Sequence, residues 1–259
     1  MPRSLPRWGE LGAALAAVER WLLPGECLLC RGAAGGARDP LICAPCCARW
    51  AALPEPQCPR CGQPLTPDIA CRICSDWPPG LQGIRSAVWL DAAARRAVHL
   101  LKYSGWWRVA EPLAGAMAVR LPWAPGSTLI PIPLGAARLR SRGYNQSAVL
   151  ADALGKRLRL RVAGRALSRR RETTTQTALT PEARRANLAG AFVAAGRVPA
   201  HPVLVDDVFT TGATLAEAAV ALFAAGAQTV SAVTFARAAR PLAAAAAVPE
   251  ETNSSWSRA

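Results

Sequence analysis

Residues 203–214 read Val-Leu-Val-Asp-Asp-Val-Phe-Thr-Thr-Gly-Ala-Thr: an apolar strand, two adjacent carboxylates, then a short loop of hydroxyls and glycine that opens a helix. Each part suits a sugar phosphate. Asp206 and Asp207 stand where a buried parallel strand is expected to emerge, able to accept hydrogen bonds from ribose hydroxyls or to hold a hydrated Mg²⁺. From Thr210 through Thr211, Gly212 and Ala213 to Thr214, backbone N–H groups and hydroxyls can face a phosphate at the helix's positive end. Gly212 lacks the Cβ that would block close approach of the backbone. The plainer alternative is an ordinary strand-to-helix turn in which Thr214 and Glu217 form a capping box. The missing Gly-Lys-Ser/Thr ending excludes a Walker A loop, and acids that precede the glycine exclude a Rossmann fingerprint.

Outward from this stretch, β and α signals alternate, which argues for a parallel sheet covered on both faces. Upstream, residues 84–91 read as a strand, followed by a helix through Arg95–Tyr103 and a second over about 109–121. Thr128–Pro133 is a short apolar strand whose prolines turn it into a rigid loop. Arg138–Gln146 then reads as loop, and Val149, Leu150, Ala153 and Leu154 mark the next helix. Residues 169–180 are polar and lack periodicity, and a long loop of this kind in a compact domain is commonly a lid or binding loop. Downstream, a helix over 214–225 stops at Gly226, and Thr229–Phe235 supplies another strand.

The 259 residues carry a net charge of +14, unevenly spread. Between Arg138 and Arg185 there are thirteen Lys/Arg against Asp152, Glu172 and Glu182, a net +10. Such a block suggests an anionic partner: a pyrophosphate-bearing substrate, nucleic acid, or both. A solvated helix face accounts for Lys156–Arg161, but less well for Arg138–Arg142 and Arg169–Arg171. Leu11–Leu23 is interrupted by Glu19 and Arg20, so it is a poor signal peptide, and no apolar run approaches the roughly 18–20 residues that span a bilayer. A cytoplasmic protein without a membrane span is the expectation.

Eight of the nine cysteines form four Cys-x-x-Cys pairs: Cys27/Cys30, Cys43/Cys46, Cys58/Cys61 and Cys71/Cys74. Two thiolates on one tight turn can both reach a tetrahedral Zn²⁺, and two such turns complete a Cys₄ site. Sequential pairing gives loops of twelve and nine residues, a double zinc ribbon with two structural Zn²⁺ sites. Disulfides, an iron–sulfur cluster and interleaved pairing are alternatives, and Cys47 could replace Cys46 as a ligand. With little apolar content, this module depends on its metal to fold. The expected organisation is an N-terminal segment 1–24, the ribbon at 25–78 closed by Trp77-Pro78-Pro79-Gly80, an α/β domain at 82–238 and a disordered tail at 239–259.

Four cysteine pairs followed by this acid-and-hydroxyl signature resemble the ComF/GntX family, in which a double zinc ribbon precedes a type I phosphoribosyltransferase domain. Further landmarks are Leu101-Lys102-Tyr103, Pro131-Ile132-Pro133, Arg142-Gly143-Tyr144-Asn145-Gln146, Gln176, and Arg185 with Asn187–Phe192. The resemblance implies a type I phosphoribosyltransferase fold, a parallel sheet flanked by helices, with a hood, binding phosphoribosyl pyrophosphate (PRPP) with Mg²⁺. It places Asp206 and Asp207 on the ribose, and Thr210, Thr211, Gly212, Ala213 and Thr214 around the 5′-phosphate. It places Pro131, Ile132 and Pro133 in the pyrophosphate turn, with Lys102, Arg138, Arg142 and Arg171 as charge partners. Arg169–Gln176 would be the hood loop that closes over substrate. The implied chemistry is transfer of phosphoribosyl to a nitrogen acceptor, associated with DNA uptake or use. The alternative is a non-catalytic PRPP or nucleotide sensor, or an adaptor on single-stranded DNA or DNA-uptake proteins. Purine-salvage relatives carry an Asp where Thr210 stands, and a threonine is no general base near neutral pH. His99 and His201 read as packing or surface residues rather than substitutes for it.

Overall fold

A computed structural model describes residues 25–33, 41–65, 71, 73–171 and 188–238. The expected N-terminal segment, the tail beyond Ala238, and Gln176, Arg185 and Asn187 lie outside the described residues.

Five strands form a parallel sheet: β1 (Leu81–Trp89), β2 (Thr128–Pro131), β3 (Arg161–Val162), β6 (Pro202–Phe209) and β7 (Val230–Arg237), in the order β1-β7-β6-β2-β3. A separate antiparallel pair, β4 (Leu167–Arg169) with β5 (Phe192–Ala194), stands apart from it. The helices are α1 (Ala44–Ala48), α2 (Ala92–Tyr103), α3 (Ala110–Arg120), α4 (Ala136–Arg142), α5 (Gln146–Leu158) and α6 (Ala213–Ala224). The fold is α/β, with the cysteine-rich ribbons ahead of the sheet.

The sheet separates two apolar cores. On one side α2, α3 and α5 bring Leu101, Leu113, Met117, Leu150 and Leu154 against Val203, Val205 and Phe235. On the other, Leu215, Ala218 and Leu222 of α6 join Leu167 and Phe192 against Ile84, Ile130, Leu204 and Val230. Successive side chains of β6 therefore enter opposite cores, and both faces are covered, which is why its first half is an unbroken apolar run. Among the described residues no helix is long and apolar enough to cross a membrane.

Two expectations need correction, and one alternative reading drops out. The central strand does not end at Val205: β6 continues through both aspartates to Phe209, because β7 runs beside it as far as Arg237. Arg138–Arg142 is not loop but part of α4; alanine and arginine are good helix formers, and Gly143 at φ 81° terminates the helix through its N–H to Leu139 O. No capping box forms at Thr214, since α6 starts at Ala213 with Gly212 as N-cap, and Glu217 instead accepts the Gly190 N–H at 2.6 Å.

Candidate functional site

The carboxyl ends of β1, β2 and β6 open into a cleft of about 480 Å³, where α/β sheets commonly hold ligands. Its acidic floor is Asp206 and Asp207. Ile132, Pro133 and Leu134, just after β2, form one wall, and Thr210 and Thr214 border it after β6. Four cations surround these groups: Arg95 and Lys102 from α2, Arg138 from α4 and Arg169 from β4.

Asp207 is only 3% exposed. It forms an ion pair through Oδ2 with Lys102 Nζ and accepts from Gln146 Nε2 at 3.3 Å through Oδ1. Asp206 accepts from Ser147 Oγ at 2.8 Å and from the Asp207 N–H at 2.9 Å, both through Oδ1. Burial pushes the Asp206 carboxyl up and the neighbouring Asp207 charge adds to this; Ser147 and Lys102 pull back, and the result is about 7. For Lys102, burial disfavours the ammonium, but the Asp207 charge outweighs it and holds the pKa above its ordinary value. With Asp206 holding its proton up to about 7 and Asp207 paired to Lys102, little net negative charge is left at the strand end.

The segment 142–147 explains how these groups are held. Asn145 caps α5, its side-chain oxygen accepting the Ser147 N–H at 3.0 Å, while its Nδ2 donates to Ile132 O at 2.9 Å. One residue thus fixes the start of a helix and the turn after β2. Tyr144 donates its hydroxyl to Leu101 O at 2.5 Å, tying in the last turn of α2 beside Lys102. Arg142 bonds to Gln146 Oε1 and stands over the Tyr103 ring at 5.2 Å.

The loop after β6 has no side chain capping α6, although the Ala213 N–H reaches Thr211 Oγ1 at 3.4 Å. The first-turn amides of a helix have no partner within it, and here they begin at the cleft. Gly212 adopts φ 79°, and a Cβ there would lie 2.3 Å from Trp77 Cζ2. The absent Cβ makes room for an indole from the ribbon.

The cysteines assemble as Cys27, Cys30, Cys43, Cys46 and as Cys58, Cys61, Cys71, Cys74, with the ligand atoms of each group within 4.8 Å of one another. Pairing is sequential. Sulfur separations of 3.7 Å for Cys30–Cys43, 3.4 Å for Cys61–Cys71 and 3.9 Å for Cys58–Cys74 suit thiolates around Zn²⁺, whose tetrahedron at about 2.3 Å per bond sets them about 3.8 Å apart. The donor set fits structural zinc. Cys47 stays outside, its Sγ directed to Ile42 O at 3.8 Å and its thiol pushed by burial up to about 11.

Of the residues singled out in the sequence, Lys102, Ile132, Pro133, Arg138, Asp206, Asp207, Thr210 and Thr214 converge on the cleft. Pro131 lies within β2, Arg142 is stacked on Tyr103, and Arg171 donates to Ala189 O at 3.0 Å on the exposed side of the β4–β5 pair. Thr211 and Gly212 form the turn behind it, and Ala213 opens α6. Arg169, expected in the loop that closes over substrate, does line the cleft, whereas sequence reasoning missed Arg95, His99 and Gln146 as lining residues. For α2 a signal existed, since Arg95, His99 and Lys102 recur at helical spacing on one face. His99 is exposed and its ring lies 5.0 Å from Tyr103. His201 bonds to Thr229 at the surface, as expected.

Comparison with known proteins adds two findings. The double zinc ribbon domain family matches residues 18–75. The chain is 34% identical over 226 residues to the DNA utilization protein YhgH of Escherichia coli O6:H1, covering 80% of this chain and 95% of that protein. It is 34% identical over 133 residues to competence protein F of Haemophilus influenzae, about half of each chain (50% and 53%). To competence protein ComFC of Streptococcus pneumoniae it is 25% identical over 195 residues, 74% of this chain and 86% of that one. With its paired Cys₄ ribbons set ahead of a parallel sheet, the chain belongs to the ComF/GntX family.

Proposed function

We propose that the cleft binds PRPP together with Mg²⁺, and that the protein transfers phosphoribosyl to a nitrogen acceptor in the handling of DNA as nutrient or transforming material. The observation carrying this reading is that the two strand-end aspartates and the uncapped start of α6 border one cleft ringed by Arg95, Lys102, Arg138 and Arg169. The 5′-phosphate would rest on the Thr210–Thr214 turn, drawn by the helix's positive end and first-turn amides. Asp206 and Asp207 would hold the ribose hydroxyls. These adjacent carboxylates are also hard oxygen ligands of the kind Mg²⁺ takes, with Asp207 Oδ2 paired to the Lys102 ammonium. Mg²⁺, when bound, supplies charge neutralisation to the pyrophosphate oxygens.

In the transfer, the acceptor nitrogen's lone pair forms the new bond to C1 of the ribose as the bond from C1 to the pyrophosphate oxygen breaks. Lys102 and Arg138 stabilise the charge that grows on the leaving oxygens. The β4–β5 pair, carrying Arg169, stands where a cover would exclude water from the C1 centre. Thr210 leaves proton removal to the acceptor's own environment. Calorimetry with PRPP and Mg²⁺ tests the reading: binding is expected in the wild type and lost in Asp206→Asn/Asp207→Asn, and no heat at millimolar ligand removes it. Pyrophosphate release across a panel of nucleobases and amines then tests turnover.

A specific surface feature favours a second reading, an adaptor for single-stranded DNA. Tyr103, Trp106 and Trp107 are 69%, 43% and 54% exposed, a set of stacking faces close together in the chain, and Arg142 lies over the Tyr103 ring. Binding that falls steeply with salt and weakens in Trp106→Ala/Trp107→Ala supports it; absent or salt-independent binding counts against it.

A further inference from the structure

The second Cys₄ centre lies against the loop proposed to hold the phosphate. Trp77 follows Cys74 by three residues and donates its backbone N–H to Cys74 O at 3.4 Å. Its buried indole fills the space where Gly212 has no side chain, and its ring lies 6.0 Å from that of Phe209 at 62°. Gly212 is required twice over, by its positive φ and by the ring stacked on it.

Two arginines brace this contact. Arg60, inside the Cys58–Cys61 turn, donates to Cys74 O at 2.6 Å, Trp77 O at 2.8 Å, Pro78 O at 2.6 Å and Leu81 O at 3.0 Å. It therefore locks the exit from the ribbon onto the start of β1. Arg237, only 1% exposed at the end of β7, donates to Cys61 O at 2.8 Å and to Gln63 Oε1 at 2.9 and 3.1 Å. The same guanidinium stands 4.1 Å from the centre of the Phe209 ring. Phe209 and Gly212 flank Thr210 and Thr211, so both ends of the turn are gripped from the ribbon side.

We propose that Trp77 is a positioning residue for the phosphate-binding turn, and that the Cys58–Cys74 centre sets that turn's geometry through it. The inference rests on the PRPP reading for the identity of the ligand, but not for the coupling itself. A turn of threonine, glycine and alanine has little packing of its own to keep consecutive amides aimed at one point. Binding geometry must be held to about 0.5 Å by surrounding side chains, and here the indole and the Phe209 ring supply that support. Zinc on the four thiolates would fix Cys74, and with it the start of the three-residue lever that ends in Trp77.

The test uses the zinc-loaded full chain and compares Trp77→Ala, Trp77→Phe and Trp50→Ala, the last removing an equally buried indole from the opposite core. The readouts are calorimetric affinity for ribose 5-phosphate and for PRPP with Mg²⁺, amide exchange over residues 209–214, and zinc content. Trp77→Ala is expected to keep its zinc, exchange faster at 210–214, and weaken ribose 5-phosphate binding by about tenfold or more. Trp77→Phe restores most of both, and Trp50→Ala leaves affinity within about twofold. Wild-type affinity and unchanged exchange in Trp77→Ala overturn the proposal. Should that variant not fold, Trp77→Leu is judged by the same two readouts. If the wild type binds neither phosphate ligand, the PRPP reading fails. The exchange data still decide the coupling, which then falls if Trp77→Ala leaves residues 210–214 as protected as before.

Discussion

The two Cys₄ ribbons are near copies locally and differ in what lies beside them. Each opens with the same turn: Cys27 N–H to Gly32 O at 2.9 Å in one, Cys58 N–H to Gln63 O at 2.8 Å in the other. Both turns need a residue at positive φ, Arg31 at 62° and Gly62 at 68°. Arg31 is exposed and its side chain has room. At Gly62 a Cβ would fall 2.6 Å from Ile84 O, because β1 runs directly against that turn. The first ribbon sits on the helical core, with Arg96 donating to Leu29 O and Arg120 to Trp50 O, each at 2.8 Å, and Trp50 packed edge-on to Phe235 at 4.9 Å. The second sits on the sheet edge and the turn after β6. The same metal chemistry thus serves one part of the molecule as a staple and the other as a brace for the candidate site.

The largest expected effect separates these roles outright. Cys27→Ser and Cys61→Ser each remove one thiolate from one group of four, so zinc content should fall from two per chain to one in either case. Structural zinc contributes on the order of 10 kcal/mol to folding of such modules, so the affected ribbon loses its fold in both variants. Cys27→Ser should retain ligand affinity with a lower melting temperature, since α2 keeps Ala94, Ala97 and Leu101 fully buried against the sheet. Cys61→Ser should lose affinity as well, because Arg237, Trp77 and Phe209 lose their anchor together. Equal loss of binding in both variants would break the distinction.

A smaller effect sharpens it. Trp50 is 1% exposed, and Trp50→Ala should destabilise the chain by about 3–5 kcal/mol, the usual cost of emptying a large core aromatic site. Urea denaturation measures this. An affinity loss larger than that of Trp77→Ala would show that the first core, not the second, governs the cleft.

How much of this could be read from residues alone depends on the range of the interaction. The acid-and-hydroxyl stretch was legible because strand, turn and helix signals lie within twelve residues and each has a local cause. The cysteine turns were legible for the same reason. Arg138–Arg142 was misread because a charge run beside glycine looks like loop, whereas arginine in isolation favours helix and Gly143 marks its end. Asn145 and Gln146 stood inside a recognised landmark and Ser147 just after it, but their work is done across 13, 61 and 59 residues of chain, on Ile132, Asp207 and Asp206. No local pattern encodes those partners. Trp77 is the clearest case: with Pro78-Pro79-Gly80 it read as the end of a module, and only the fold shows it lying over Gly212.

The smallest expected effect is a pH dependence in which the site and the ribbons pull in opposite directions. Thiolate ligands must be deprotonated to hold zinc, so both ribbons gain stability as pH rises. Asp206 behaves the other way. Its pKa in the fold is raised from an ordinary 3.8 to about 7, so the folded chain keeps a proton that the unfolded chain has released. Its contribution is full below about 4 and is lost as pH rises through about 7, with uptake of no more than one proton. Asp206→Asn cannot titrate and keeps the ribbons intact. Subtracting its unfolding free energy from that of the wild type between pH 5.5 and 8, without Mg²⁺, cancels the thiolates. The difference should move against the wild type as pH rises and level off above about 7. A flat difference would mean that Ser147 and Lys102 already hold Asp206 ionised across this range.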